Sequence, residues 1–509
     1  MKVDRVAVIG GGPGGLYAAR LLKLSNPAAD ITVYEQSSPD TTFGFGVGLA
    51  SRTQRNLRLA DAVSLDAIVA QAYSHEMSMQ VGDATARLAH GDLLAIARTT
   101  LLSILQGQAR DAGVRLVFGE RREPAELDAD LVIASDGINS ATRTANPEFG
   151  ADITTGSGLY LWCGTDFALP SAIFVPAITE HGTFVAHAYP YAVDRSTFLI
   201  ETDVETWRRA GFDNSTEATE AADSDEVSLR YLKTAFADTL QGHDLIGNRT
   251  RWMQFRTVTC RSWSAGNVVL LGDAAHTAHY SIGSGTKLAM EDAIALDAAL
   301  SSSDTVEGAL VEYERVRRPA VDHLQQIALR SEQWWESFPH RMDLPVEQLM
   351  LAYMTRAGKV GLDRFLESAP DVAWKGIASY GNADVDSGPP EDVSAWVLGR
   401  ELEHARGSFD TRLAPDALRD DPTTNVLTVD VESAWNEKAT ALVDEARASA
   451  TVWLTGPVER AHVLDRLDVA ERMMQSSDAL VVVDVPKSCL PDAVAGLVSG
   501  RAHLVSVGG

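Results

Sequence analysis

Residues 5–35, RVAVIGGGPGGLYAARLLKLSNPAADITVYE, decide the fold. Arg5 to Ile9 is a short run, apolar after Arg5, of the kind that forms a strand covered on both faces. Gly10, Gly12 and Gly15 follow in the spacing G-x-G-x-x-G. Helical spacing holds over 16–24, and a second strand over 31–34 ends at Glu35. Strand, glycine turn, helix, strand and an acidic residue about 20 positions on form the dinucleotide fingerprint in its full context. Gly10 permits the tight turn, Gly12 lets backbone approach a pyrophosphate, and Gly15 lets helix and strand lie close. Glu35 is placed to accept hydrogen bonds from a ribose. The fingerprint predicts an α/β, Rossmann-type domain and leaves NAD and FAD both open.

Two further strand tips repeat the theme. Residues 128–133 read as a strand that runs into Ser135-Asp136-Gly137, with Arg143 beyond. Residues 268–293, VVLLGDAAHTAHYSIGSGTKLAMEDA, read as a buried strand stopping at Gly272-Asp273, a loop with His276 and His279, then Gly283-Ser284-Gly285-Thr286 opening a helix. Free N–H groups and the positive end of a helix dipole make such a corner accept anions. Residues 43–48, FGFGVG, suggest backbone close to a ligand, and Arg52, Arg55 and Arg58 follow on a helix. Residues 91–108 read as helical, with Arg98 on the face of Leu101 and Leu105.

The bulk numbers exclude some functions. The 509 residues carry a net charge of −26, which argues against non-specific binding to nucleic acid or an anionic membrane. The three cysteines, Cys163, Cys260 and Cys489, form no metal or disulfide spacing, so we expect no metal site. No apolar run reaches the ~18–20 residues of a membrane span. We expect a cytoplasmic protein.

Residues 158–256 alternate in strand fashion and are rich in aromatics, among them Tyr160, Trp162, Phe174, His187, Tyr189, Trp252 and Phe255. They predict a mixed sheet covering the dinucleotide domain. Residues 77–88 read as strands crossing out of the first domain, and 215–228 as an exposed acidic segment. Helical periodicity dominates 306–338, across Pro319, and 344–367. Residues 382–392 read as a linker, before a small α/β unit with strands at 426–431, 450–454, 479–485 and 502–507.

With G-x-G-x-x-G, ASDGINSATR, LLGDAAH and R-x-x-L-x-x-x-L (from Arg98) in this order, the chain resembles the class A FAD-dependent aromatic hydroxylases. FGFGVGLAS, FVAHAYPY, STFLIET, FRTVT and GDAAHTAHYSIGSGTKLAMEDAIAL are similar to the salicylyl-CoA 5-hydroxylase and anthraniloyl-CoA monooxygenase subgroup. The likeness covers residues 1 to about 375. Many subgroup members carry a C-terminal reductase barrel. About 120 residues remain here, too few for a barrel of ~250, so a degenerate remnant without reductase activity is expected.

The resemblance implies FAD as cofactor, NADH or NADPH as reductant, and O2 as oxidant, with oxygen passed from a flavin C4a-hydroperoxide to an aromatic acyl-CoA. A free or carrier-bound aromatic acid, or a non-benzenoid ring acyl-CoA, is the alternative substrate. A non-enzymatic FAD-binding protein is the rival class. The implied cofactor residues are Gly10, Gly12, Gly15, Glu35, Arg52, Arg98, Asp136, Gly137, Gly272, Asp273, Gly283, Gly285 and Thr286. Catalytic candidates are His276, His279 and Lys287; substrate candidates are His187, Tyr189, Tyr160, Trp252 and Phe255. For a CoA moiety, Arg55, Arg58, Arg251 and Arg256 join Arg52 and Lys287. The expected domains are FAD-binding (1–72, 92–150 and 262–304), substrate-binding β-sheet (73–91 and 151–261), helical (305–385) and small α/β (386–509). A homodimer is one expectation for assembly.

Overall fold

The computed structural model describes residues 3–39, 41–42, 44–89, 93–283 and 285–508. Phe43, Gly91 and Ser284, each in a stretch singled out above, lie outside the described residues. The chain forms two compact units: Met1–Ser78 with Ala89–Glu332, and Met79–Leu88 with Gln333–Gly509.

The first unit is built on a six-stranded sheet. Its spatial order is Ser264–Ala265, Val268–Leu270, Leu131–Ala134, Arg5–Ile9, Asp30–Glu35, Arg115–Phe118. All neighbours run parallel except the edge pair of Ser264–Ala265 with Val268–Leu270. The carboxyl ends of Arg5–Ile9, Leu131–Ala134 and Val268–Leu270 therefore lie side by side. Gly10, Asp136 and Asp273 are thus brought to one sheet edge, where open α/β sheets bind ligands.

Helix Pro13–Ser25 starts with proline in its first turn, where the missing N–H costs nothing. It lies close to helix Gly285–Ser302. A Cβ at Gly14 would stand 2.7 Å from Leu271 Cδ2 and 2.9 Å from Ala289 Cβ, so only glycine admits this packing. The core here is largely apolar, with Leu16, Val8, Ile133, Val269 and Leu296 fully buried.

The helix expected from 91 begins instead at Arg98 and runs to Ala112. Leu94–Ala97 is a strand, paired antiparallel with Gly46–Leu49 and with Tyr73–Ser74. Alternation in LAIA suits a strand once a partner edge is available, and that pairing overrides the local helical spacing.

The second sheet of this unit is antiparallel. Its order is Leu245–Ile246, Ala151–Thr165, Arg195–Thr202, Gly182–Ala192, Ala172–Thr179, with Trp252–Cys260 also on Ala151–Thr165. A period of two sorts its side chains. Leu161, Cys163, Phe184, Ala186, Phe198, Ile200 and Trp252 share a buried cluster with Leu229 and Leu232 of helix Glu226–Ala235. Tyr160, Trp162, His187 and Glu201 alternate with them along the same strands. The acidic segment 215–228 is not simply solvated. Asp225 and Ser228 are fully buried, and Asp225 caps helix Glu226–Ala235 by accepting the Ser228 N–H at 3.0 Å.

In the second unit, helices Val346–Thr355, Leu362–Ser368 and Pro370–Tyr380 pack together. The periodicity expected through 344–367 is interrupted between the first two, where Gly358 takes φ +68°. Four parallel strands follow: Thr424–Thr428, Thr451–Thr455, Leu480–Pro486 and Leu504–Gly508. Each pairs with the next in sequence. No helix among the described residues is long and apolar enough to cross a membrane.

Candidate active site

The first strand tip is shaped to take a phosphate. Gly10 holds φ +102°, and a Cβ on Gly15 would meet the Gly10 carbonyl and Ser135 Oγ at 2.3 Å each. By contrast, a Cβ on Gly12 would meet no atom within 4 Å. Gly12 caps helix Pro13–Ser25 and no side chain caps it, so the first-turn N–H groups point at open space. Glu35 stands beside this turn, accepting the Gly11 N–H at 2.7 Å and the Ser37 N–H at 2.8 Å.

The other two tips are tied together by Arg143. Its guanidinium donates to the carbonyls of Asp273 at 3.3 Å, Ala274 at 2.9 Å and Ile138 at 2.5 Å. Asp136 accepts the Thr142 N–H at 3.1 Å through Oδ2, while its buried Oδ1 has no hydrogen-bond partner among the described residues. Asp273 is half-buried. Burial pushes its carboxyl above the ordinary range, opposed chiefly by the Arg98 guanidinium. Arg98 is itself half-buried at the first position of its helix, its backbone N–H held by the Phe45 carbonyl at 2.8 Å. Burial lowers the pKa of its guanidinium, with Asp273 opposing. Neither side chain donates to or accepts from another among the described residues.

Beneath Asp273 lies a buried ionic network that the sequence reading did not resolve. Asp292 Oδ2 accepts the Gly272 N–H at 3.0 Å and meets His276 Nε2 at 2.8 Å. Its Oδ1 accepts from Arg317 Nε at 2.6 Å, and Arg317 also pairs with Glu291 at 3.1 Å. Burial alone would raise the Asp292 carboxyl; His276 and Arg317 outweigh it and hold it below the ordinary carboxylate range. His276, 2 % exposed, packs on Trp263 at 4.9 Å. It faces inward, apart from the aromatic cluster that takes in His279.

That cluster centres on a carboxylate. Glu201 accepts a hydrogen bond from Tyr280 Oη and faces His187 Nε2 at 3.2 Å. Burial favours a neutral Glu201, but His187, His279 and the Tyr280 hydroxyl hold its carboxyl below the ordinary range. Tyr280 lies 4.8 Å from the Tyr160 ring, 6.1 Å from Trp162, 5.9 Å from Phe255 and 4.0 Å from His279. Phe174 meets His187 edge-on at 5.2 Å. Burial pushes the Tyr160 phenol up to about 12. The cluster joins the sheet to the loop that follows Asp273, so it adjoins the strand tips.

The expected substrate residues divide. Tyr160, His187 and Phe255 join the cluster, as does the catalytic candidate His279. Tyr189 sits toward Arg98, donating to the Gly46 carbonyl at 2.9 Å. Trp252 lies on the opposite sheet face, stacked on Phe212 at 5.5 Å and donating to Ser228 Oγ at 2.9 Å. Trp252 and Phe255 are three apart on one strand, so the pleat sends them to opposite faces. The same parity rule picks out Glu201, directly across from Tyr160 and in step with Leu199 and Thr197 of STFLIET. Lys287, in the first turn of helix Gly285–Ser302, is half-buried; burial lowers its pKa, with Glu291 opposing and Arg52 adding to the fall. Arg52, Arg55 and Arg58 are exposed, and Arg58 pairs with Asp66 at 2.9 Å.

The residues present fit FAD. Gly12, Gly137, Gly283 and Gly285 would each carry a Cβ into open space, and Glu35, Arg98 and Asp273 offer polar groups at the same edge.

Comparison with known proteins agrees. Residues 91–328 match the FAD binding domain family. The chain is 44% identical over 361 residues to salicyloyl-CoA 5-hydroxylase of Streptomyces sp, covering 69% of this chain and 70% of that protein. It is 38% identical over 383 residues to 3-hydroxy-4-methyl-anthranilyl-[aryl-carrier protein] 5-monooxygenase of Streptosporangium sibiricum, covering 75% and 99%. In fold it is similar to 2-methyl-3-hydroxypyridine-5-carboxylic acid oxygenase, with a TM-score of 0.54, 19% identity and coverage of 73% and 96%. PqsL of P. aeruginosa gives a TM-score of 0.52 at 20% identity, covering 67% and 98%. The chain belongs to the class A FAD-dependent monooxygenases, and its cofactor is FAD.

Proposed function

We propose that this monooxygenase hydroxylates the ring of an aromatic acyl thioester, carried by coenzyme A or by a carrier protein. The observation that carries the reading is the aromatic cluster around Glu201, held against the loop that follows Asp273. Tyr160, Trp162, Phe255 and Tyr280 offer π faces and edges to a planar ring. The thioester follows from two relatives, one named for a CoA ester and one for a carrier-bound acyl group. Both carriers present the acyl group on a phosphopantetheine arm.

Bound FAD supplies the redox chemistry, taking electrons from NAD(P)H and activating O2. The chain's own residues do the rest. Glu35 and the uncapped start of helix Pro13–Ser25 hold the adenosine and pyrophosphate. Arg98, Asp136 and Asp273 hold the middle of the cofactor, with Asp273 fixed by the Arg143 and Asp292 ties to its backbone neighbourhood. Gly283, Gly285 and Thr286, at a helix start, would favour negative charge on the flavin ring. The aromatic cluster excludes water and orients the substrate. Lys287 and Arg52, close enough for the arginine to lower the lysine's pKa, are the basic groups offered to the phosphates of the arm, with Arg55 and Arg58 one and two turns further along. Arg251 and Arg256 are less free, donating to the Thr216 carbonyl at 2.8 Å and Asn139 Oδ1 at 2.8 Å.

We read residues 386–509 as the degenerate remnant of a reductase barrel, supported by four parallel strands each paired with the next in sequence. A barrel winds in this way.

The test is stimulation of NAD(P)H oxidation by aryl-CoA thioesters, aryl-carrier proteins and the matching free acids. Thioesters should accelerate oxidation and be hydroxylated. Acceleration and hydroxylation by free acids alone would overturn the thioester reading.

A further inference from the structure

We infer that Glu201 is the specificity-determining residue of the site, selecting rings that carry a hydroxyl or amino group by accepting a hydrogen bond from it. This rests on the reading above, that a substrate ring occupies the aromatic cluster.

The argument is one of supply and position. Glu201 sits in the row Val185–Glu201–Tyr160 of the sheet, two rows from His187–Leu199–Trp162 and on the same face. Its own face of the sheet is otherwise aromatic or apolar at Tyr160, Trp162, Phe174 and Leu199. A carboxylate here is costly unless it is paired and hydrogen-bonded. Tyr280 Oη takes up part of Oε1, and His187 Nε2 faces Oε2. An ionised carboxylate has about four acceptor positions, so each oxygen keeps capacity for one more donor. The neighbours that hold the group ionised also make it an acceptor only. It therefore reads a donor and rejects an ether of nearly the same shape. The two partners fix its direction, so a ring bound against the cluster must present its donor to one point. A hydrogen bond accepted from that donor also raises electron density at the ring carbons ortho and para to it. The residue thereby links which ring binds to where the ring is electron-rich.

A site built to bond a hydroxyl discriminates against the analogue lacking it far more than an apolar pocket does. The experiment compares 2-hydroxybenzoyl-CoA with 2-methoxybenzoyl-CoA, and the two free acids, in kcat/KM for hydroxylation. Each pair is measured on one preparation, so a partly unfolded variant scales both values and leaves the ratio intact. The wild-type protein should prefer hydroxy over methoxy by at least about 10²-fold. In Glu201→Gln the preference should fall below about 10-fold. In Tyr280→Phe, which leaves the carboxylate in place, it should persist. A wild-type ratio near unity, or an unchanged ratio in Glu201→Gln, overturns the inference. Collapse in both variants assigns selection to cluster packing and overturns it as well. A preference kept in the free acids with no advantage for the thioesters sustains the role of Glu201 while contradicting the thioester reading.

Discussion

Asp292 accepts the backbone N–H of Gly272 at 3.0 Å. A helical carboxylate thus fixes the tip of a strand twenty residues earlier, one position before Asp273. The same carboxylate pairs with His276 and Arg317 and is fully buried. The cofactor edge is therefore held from inside the core by charge as well as by packing.

Asp292→Asn should destabilise the protein by roughly 3–5 kcal/mol, because the buried Arg317 loses one of its counter-charges while His276 and the Gly272 N–H lose a charged partner. Urea denaturation of the two apoproteins measures it. The pH dependence has a fixed sign. The folded carboxyl titrates below its ordinary value, so its stabilisation is complete above the unfolded pKa of ~3.9 and is lost as pH falls through the lower folded value. The gap between wild type and Asp292→Asn should shrink as pH drops below about 4. A gap that widens in acid would contradict the assignment.

Two glycines of one motif should behave differently. A Cβ on Gly15 would strike the Gly10 carbonyl and Ser135 Oγ at 2.3 Å, whereas one on Gly12 meets nothing within 4 Å. Gly15→Ala should lower the melting temperature of the apoprotein and abolish flavin retention. Gly12→Ala should melt with the wild-type apoprotein yet bind FAD at least about tenfold more weakly, since it fills space the pyrophosphate needs. Thermal melts and flavin titration on the same samples separate the two.

Asp273→Ala is expected to be purified without flavin, and Lys287→Ala with it. Retention of stoichiometric FAD by Asp273→Ala, read from its absorbance, would remove Asp273 from the cofactor site. Lys287→Ala should raise KM for an acyl thioester about tenfold or more. Its ammonium deprotonates below the usual lysine range because burial disfavours charge. Wild-type affinity for the thioester should accordingly weaken as pH rises toward that lowered value, and the variant should show no such fall.

Much of this was legible in the sequence because the cofactor edge is local. Each strand tip carries its own glycine or aspartate, and parallel pairing then aligns the tips. Trp252 falls outside the site because strand parity, not aromatic content, sets a residue's face, and its three-residue offset from Phe255 separates the two. Glu201 is hidden for the same reason, as one acidic residue closing an apolar strand. His276 is a catalytic candidate by sequence, whereas its partner Asp292 lies 16 positions on and is in turn bound by Arg317, 25 further. The helix start near 91 failed because Leu94–Ala97 finds a strand partner at Gly46–Leu49, which no local window contains.

The most direct measurement is isotopic. The protein, reconstituted with FAD and given NAD(P)H, should be run under ¹⁸O2 with the aryl thioester that best accelerates NAD(P)H oxidation. The account predicts a ring-hydroxylated thioester carrying one ¹⁸O atom, formed in step with NAD(P)H consumed. NAD(P)H consumption that yields only hydrogen peroxide, or a product whose new oxygen comes from water, would contradict it.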